Sequence, residues 1–552
     1  MHLYPTRPAA HVALAGVAVV AVGVVAREPA IVGWGGALLV AIALARAVTL
    51  VSVARIRAAG FEMLWSGPKR MLRTVRGHTL EIEAEVRNRD TLAARYIKLR
   101  AVSSPNLQVT IEPDAGEVAA SGRLKVKVMV TTPRVGQHGL HGLALEVHGS
   151  PGLFEVPLTF ANPYGIEVLP RPFAAYLTQP RGGRSRLTAV SGKPGRSRGD
   201  GNDLRELREH QPGDPFRRIA WRASAKRGVL LVRDFEREER DVLWVVLDAS
   251  VELWSGPLGR APLDFSIDEA AALAMRHLAR GDRVGLYIFG AAARAILPPD
   301  GGTAHAQKIA HALTVGTGTH DADRSDLDES DVAVRVLEHL RPLDARGLAD
   351  VRRGDLDKLA ARADAMRSRA PFAAQAPEGR TARDRSLRRY LASYGIDSPP
   401  RIEPDRKQAG GALVRALTHI SRVKPRPSLV HVVAAPPDTQ HQKSLGDITR
   451  RLKGLGALVT WSCPQLEAGL LPPFETPAPT PQDPEDPPPK PAFNEIAPLA
   501  ADAVLVRARV AQTRGEAALR KLGIKVLRLL PITPPRPVGT EREGAKPAPG
   551  AP

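Results

Sequence analysis

Two apolar runs at the amino terminus constrain this chain more than anything that follows them. Residues 9–26 (AAHVALAGVAVVAVGVVA) contain no Asp, Glu, Lys or Arg, and a second run, 30–45, stays apolar as far as Arg46. Each is about as long as the ~17–25 residues that cross a bilayer as a helix. A signal peptide would show a shorter apolar core, a small-residue cleavage site and no second span so close behind it. The pattern predicts a transmembrane hairpin over residues 1–58, with spans at about 9–26 and 30–50. Arg7 precedes the first span, Arg46, Arg55 and Arg57 close the second, and the connecting Arg27-Glu28-Pro29 has no net charge. The positive-inside rule therefore places both ends, and the bulk of the chain, in the cytoplasm. Gly16, Gly23, Gly33, Gly36, Ala37, Ala41 and Ala45 would let helices approach closely, within the hairpin or between two copies of it.

From 61 to 170 the period changes to two. Thr79–Val86, Tyr96–Val102 and Leu124–Val130 alternate apolar with polar residues, and Asn88-Arg89-Asp90 is a turn signal. Half-buried antiparallel strands at these intervals predict a small β-sandwich of the immunoglobulin-like class. His138, His141 and His148 lack the spacing and accompanying carboxylates of a metal site and read as ordinary strand and turn positions.

Residues 171–240 read as a linker followed by a dense, mixed-charge segment. The Pro-, Gly-, Ser- and Arg-rich part, 171–203, includes Gly195-Arg196-Ser197-Arg198-Gly199, a formal match to a nucleophile elbow. That chemistry needs the serine on a sharp turn between an apolar strand and a helix, and neither flank is apolar. The segment beyond carries a turn at Gly213-Asp214-Pro215 and a basic cluster, Arg217, Arg218, Arg222, Lys226 and Arg227, around Trp221. One reading packs Trp221 against a sheet, with the arginines pairing Asp214, Asp234, Glu236 and Glu238. Others give the cluster a protein partner, anionic lipid or nucleic acid.

Residues 241–531 alternate strands and helices. Val242–Leu247, Val284–Phe289, Leu429–Val433, Gly456–Trp461 and Ile524–Leu529 are strand-like, and Ser266-Ile267-Asp268-Glu269 reads as a capping box opening a helix that stops at Gly281. A helix is expected at about 304–314. This order predicts an α/β doubly wound, mainly parallel sheet whose ligand edge is the carboxyl end of its strands, where Asp248 stands. A helical insertion at 318–408 is expected over one end of the sheet. A Pro-rich loop at 466–492 and a disordered tail at 532–552 complete the chain.

The net charge of +20 suits an anionic partner, or an arginine-rich solvated surface. The single Cys463 leaves no internal disulfide framework. With no P-loop, no H-E-x-x-H and no dinucleotide fingerprint, nothing points to an enzyme. A hydrolase built on Ser197 or Asp248 is a distant alternative.

The order of Gly201, Leu204–Arg208, Pro212-Gly213-Asp214-Pro215, Arg218-Ile219, Trp221-Arg222-Ala223-Ser224-Ala225 and Asp248-Ala249-Ser250 resembles the bacterial membrane-protein family catalogued as domain of unknown function 58 (DUF58). The family commonly has an acidic residue before the tryptophan, where this chain has Ala220. The resemblance implies a von Willebrand factor A-like fold for the α/β region and an association with MoxR-type AAA+ ATPases. It further implies docking of a partner through Gly213, Asp214, Pro215, Arg218, Trp221, Arg222 and Ser224. The chain would then be an adaptor in the bacterial inner membrane, acting on a client complex, without any cofactor other than Mg²⁺ and open to homo-oligomerisation. A von Willebrand A domain holds Mg²⁺ through Asp-x-Ser-x-Ser, a threonine on a neighbouring loop and a later aspartate. Here Asp248, Ser250 and Thr303 fit by resemblance, Glu252 replaces the second serine, and Val432–Pro437 supplies no aspartate before Asp438. The alternative is a structural Asp248 that caps nearby backbone amides.

Overall fold

In the computed structural model, residues 4–529 are described apart from 60, 67–70, 92, 150–152, 175–192, 240, 255, 345, 350, 353, 376, 402–405, 438 and 466–495. The Pro-rich loop, the tail and Asp438 lie outside the described residues.

The apolar runs form helices Arg7–Ala26 and Pro29–Ala59, packed side by side. Both are long and apolar enough to cross a membrane, with mean hydropathy 2.3 and 2.0 over an 18-residue window of each. Their apolar side chains face outward, Val25 being 85% and Trp34 74% exposed. Arg27 ends the first helix in the left-handed region (φ 58°), its N–H donating to the carbonyls of Gly23 and Val24. The seam uses only some of the small residues. A Cβ on Gly23 would lie 2.7 Å from the Val32 nitrogen and one on Gly35 2.7 Å from that of Val20, whereas Gly33 and Gly36 meet nothing within 4 Å. Gly23→Leu should therefore cost about 1–3 kcal/mol of overpacking. The expected result is loss of monodisperse protein on detergent extraction, measured by size exclusion, with Gly33→Leu behaving as the wild type.

Two sheets share the core predicted for 61–170. One runs Phe61–Trp65, Thr79–Asn88, Arg123–Thr131, Gln108–Glu112; the other runs Tyr4–Pro5, Phe154–Leu169, Gly136–Gly149, Ala94–Ser103, Ala115–Val118, with Met71–Val75 parallel to Phe154–Leu169. The alternating residues Ile82, Val86, Val126, Val128 and Val130 of the first meet Ile97, Leu99, Leu143, Leu145 and Ile166 of the second. Asp90 N–H donates to Asn88 Oδ1 at 2.9 Å, closing the expected turn.

The α/β unit has six strands in the order Ala293–Asp300, Arg283–Phe289, Val242–Asp248, Leu429–Val433, Leu458–Pro464, Lys525–Leu529. All neighbours are parallel except the first pair, which is a hairpin. Val242–Asp248 is buried along its whole length because helices cover both faces. Pro262–Ala279 and Gly302–Gly316 pack one face, while Arg406–Arg422 and Gln442–Gly454 pack the other. The helix expected to open at the Ser266 capping box begins four residues earlier. Pro262 supplies a preset φ at its first turn, Asp264 accepts the Ala261 N–H at 3.0 Å, and Ser266 Oγ donates back to the Pro262 carbonyl at 2.7 Å.

The insertion reaches the carboxyl end of the sheet through Arg324, which binds the Ala249 carbonyl, and extends beyond it. Helices Glu329–Leu343, Leu356–Met366 and Ala382–Tyr394 build their own core around Val336, Leu340, Leu387, Tyr390 and Tyr394. They lie against the sandwich rather than merely over one end of the α/β sheet. Gly139 N–H donates to the Gly395 carbonyl at 3.0 Å, and His138 Nδ1 is 3.0 Å from Asp397 Oδ2.

Candidate functional site

Part of the expected linker is a strand. Lys193–Glu209 pairs antiparallel with Leu231–Glu239, with Glu209 opposite Leu231 at the tip and Lys193 opposite Glu239 at the base. The formal nucleophile elbow at Ser197 falls inside this strand, so it lacks the strand-to-helix turn that exposes a nucleophile. The base leads into Val242, at the amino edge of the α/β sheet. Nine strand residues, about 30 Å along the chain at ~3.3 Å each, separate that edge from the tip.

The tip is built by the signature residues. Gly213 takes φ 103°, a conformation that favours glycine, and Asp214 closes the turn. Its carboxylate accepts both terminal nitrogens of Arg208 (2.7 and 2.5 Å) and the Gln211 N–H (2.9 Å), and the Arg208 contact chiefly holds its pKa down at about 2. After Pro215 a single turn, Phe216–Arg218, delivers Ile219 into a buried bridge with Val232. Ala220 is buried too, its N–H donating to the Leu231 carbonyl at 2.8 Å. The short helix Trp221–Arg227 is then pinned by Ser224, whose Oγ donates to the Ala220 carbonyl (3.1 Å) and accepts the Leu231 N–H (2.8 Å). Ser224 is thus a brace, not a surface group.

Trp221 was expected to pack this segment against the sheet; it is instead 62% exposed, with Phe216 at 75%. Val229, Leu230 and Leu207 are exposed beside them in the same tip. Arg217, Arg222, Lys226 and Arg227 are exposed as well. Asp214, expected to pair that basic cluster, is taken by Arg208 from the strand below. The side chains of Asp234, Glu236 and Glu238 lie outside the described residues. The physical reason is the register: Ile219, Ala220 and Ser224 satisfy the inward side of the short segment, leaving the bulkier neighbours outward.

The Asp248 site is at the other end of the molecule's α/β unit. Asp248 ends its strand opposite Phe289 and lines a crevice of about 30 Å³ with Ser250, Glu252 and Pro436. Its Oδ1 accepts the Ser250 N–H at 2.9 Å, and burial raises its pKa against the pull of that bond. Thr303 does not join it. The hairpin returns Asp300 to a position opposite Val284, so Thr303 stands at the amino edge, about 20 Å away by strand length. The loop that does reach the carboxyl edge follows Gly316, and there Thr317 and Thr319 spend their hydroxyls on the carbonyls of Leu313 and Ser398. Among the described residues no group of three His, Cys, Asp or Glu side chains is placed to hold a metal. Cys463 is fully buried and burial pushes its thiol up to about 12, which leaves it unreactive.

Sequence reading missed a cavity of about 280 Å³ where sandwich, α/β unit and insertion meet, lined among others by Asn106, His138, Arg294, His320 and Asp397. Its lining comes from segments more than a hundred residues apart, and no local motif announces it.

Comparison with known proteins places the family described as "Protein of unknown function DUF58" on residues 206–358, which include the tip and the Asp248 strand. Uncharacterized proteins of Mycobacterium tuberculosis (strain H37Rv) and Mycobacterium bovis are 29% identical over 151 residues, 27% of this chain. The matched part spans 46% of those relatives' own length. Among solved structures, the PapD-like domain 7 of human CEP192 is 15% identical, covering 20% of this chain and 84% of that one, with a TM-score of 0.15. Native alpha-2-macroglobulin from Escherichia coli is 12% identical, covering 72% and 54%, at 0.16. Scores this low carry no weight for the fold.

Proposed function

We propose that this protein is a membrane-anchored adaptor of the bacterial inner membrane, its bulk in the cytoplasm, that docks a MoxR-type AAA+ ATPase and thereby serves assembly or activation of a client complex. The observation that carries the reading is the ribbon tip. Phe216 and Trp221 expose large aromatic faces among Arg217, Arg222, Lys226 and Arg227, on an element whose parts pack chiefly on one another. Exposed aromatic residues with arginine are what the centres of protein interfaces are made from. The surplus of cations favours an acidic face on the partner. The hairpin supplies the anchor, and the charge of its flanks supplies the orientation. In this reading the 61–170 unit is an immunoglobulin-like sandwich and the 241–529 unit a von Willebrand factor A-like domain.

The test is affinity capture of the tagged full chain from detergent-solubilised native membranes, beside a Phe216→Ala/Trp221→Ala variant. An AAA+ ATPase recovered with the wild type and reduced at least tenfold with the variant supports the reading, since two such anchors contribute upward of ~2 kcal/mol each. The basic tip favours a second reading, binding of anionic lipid or nucleic acid. Enrichment of either without an ATPase, with binding that falls steeply with salt, would replace the first.

A further inference from the structure

The carboxyl edge of the α/β sheet holds a resident positive charge. Arg324, 3% exposed, reaches it from the loop after helix Gly302–Gly316. Its Nη1 donates to the carbonyls of Gly316 (3.0 Å) and Gly318 (2.6 Å), and its Nη2 to that of Ala249 (2.6 Å). Ala249 stands between Asp248 and Ser250, so the guanidinium ties the metal-motif loop to the loop that follows the neighbouring helix. It passes beside Gly290, where a Cβ would lie 3.7 Å from Nη2.

A divalent cation here would need oxygen ligands converging from several loops. Among the described residues, the side-chain oxygens that line the crevice come from one loop alone, those of Asp248, Ser250 and Glu252. Thr303 is at the opposite edge, strand Leu429–Val433 runs on into Ala434-Ala435-Pro436 with no carboxylate, and Asp248 Oδ1 is engaged by the Ser250 amide. What the site has instead is a delocalised cation with planar donors, suited to several carbonyls at once.

We propose that Arg324 takes the cation's place: the carboxyl edge is assembled by this guanidinium, through the carbonyls of Gly316, Gly318 and Ala249, and is independent of divalent metal. The inference stands apart from the adaptor reading. Its test uses the full chain in detergent, with Mg²⁺ and Mn²⁺ as probes. The melting temperature should be the same in millimolar Mg²⁺ and in EDTA, and Mn²⁺ electron paramagnetic resonance should show no binding that Asp248→Asn removes. Arg324→Gln should lower the melting temperature by several degrees, with no recovery on adding Mg²⁺. Saturable Mn²⁺ binding lost in Asp248→Asn, or an Arg324→Gln protein that melts as the wild type does, would overturn the proposal. If Arg324→Gln does not fold, the metal measurements on the wild type and Asp248→Asn decide alone.

Discussion

Replacing Arg76 with alanine is expected to destabilise the protein by about 3–5 kcal/mol, the cost of leaving one partner of a buried ion pair uncompensated. Arg76 belongs to the sandwich and is 5% exposed; Asp268, on helix Pro262–Ala279 of the α/β unit, is 7% exposed. Nε and Nη2 of Arg76 both donate to Asp268 Oδ2, and Nη1 donates to the Gly259 carbonyl at 2.9 Å. Asp268 also accepts the Arg171 N–H at 3.0 Å, and nearby Arg134 pairs with buried Asp264 while lying over the Trp254 ring. These contacts join two units that the sequence presents as separate. Removing Arg76 leaves the buried Asp268 with only the Arg171 backbone N–H and the more distant Arg171 guanidinium, 3.9 Å away, so the two units should also lose cooperativity in urea unfolding. The exposed pair Lys127–Glu81 is the control, since surface pairs contribute about 0–1 kcal/mol. An Arg76→Ala midpoint no lower than that of Lys127→Ala would refute the argument.

Acidification should loosen the contact between the sandwich and the insertion. His141, from strand Gly136–Gly149, meets His339, from helix Glu329–Leu343, edge to face with ring centroids 4.8 Å apart. Burial pushes His141 down to about 4, against the opposing pull of Asp397, and holds His339 well below its usual range, helped by His141. His339 Nδ1 lies 2.8 Å from the Tyr390 hydroxyl, and the Tyr394 ring packs on its imidazole. With folded pKa values below the unfolded 6.5, the unfolded state binds more protons between these values. Stability is therefore full above about 6.5 and falls as pH drops toward 4, by up to ~1.4 kcal/mol per pH unit for each histidine. Asp264 and Glu269, raised by burial, act in the opposite sense, so the comparison has to be between variants. His141→Leu should flatten the acid limb of a stability–pH curve measured by urea unfolding; a curve parallel to the wild type would show that this pair is not responsible.

What the sequence discloses follows from how local its physical causes are. The spans and Val242–Asp248 are legible because burial on all sides demands unbroken apolar runs. Strand Ala293–Asp300 is not, because Pro298 and Pro299 read as a turn; an edge strand tolerates them where no partner needs the missing N–H. Helix Pro262–Ala279 started early because its cap is the side chain of Asp264 rather than a Ser or Thr. Thr303 was misplaced for the same cause as the missed strand: without the returning hairpin, the next loop falls at the wrong edge. Arg324 is out of reach of any motif, since it lies 75 residues from the carbonyl of Ala249 that it binds. The signature residues were legible as a group, but their division into braces (Ser224, Asp214) and an outward face (Trp221) depends on a register that only the folded ribbon has, and Phe216, exposed beside Trp221, was not singled out in the sequence at all.

The most direct measurement of the adaptor claim is site-specific photocrosslinking in native membranes, with a photoreactive amino acid in place of Trp221. The account predicts a crosslink to an AAA+ ATPase from position 221 and none from the exposed Lys443 on helix Gln442–Gly454. Crosslinks from position 221 to lipid or nucleic acid alone, or an ATPase captured equally from both positions, would contradict it.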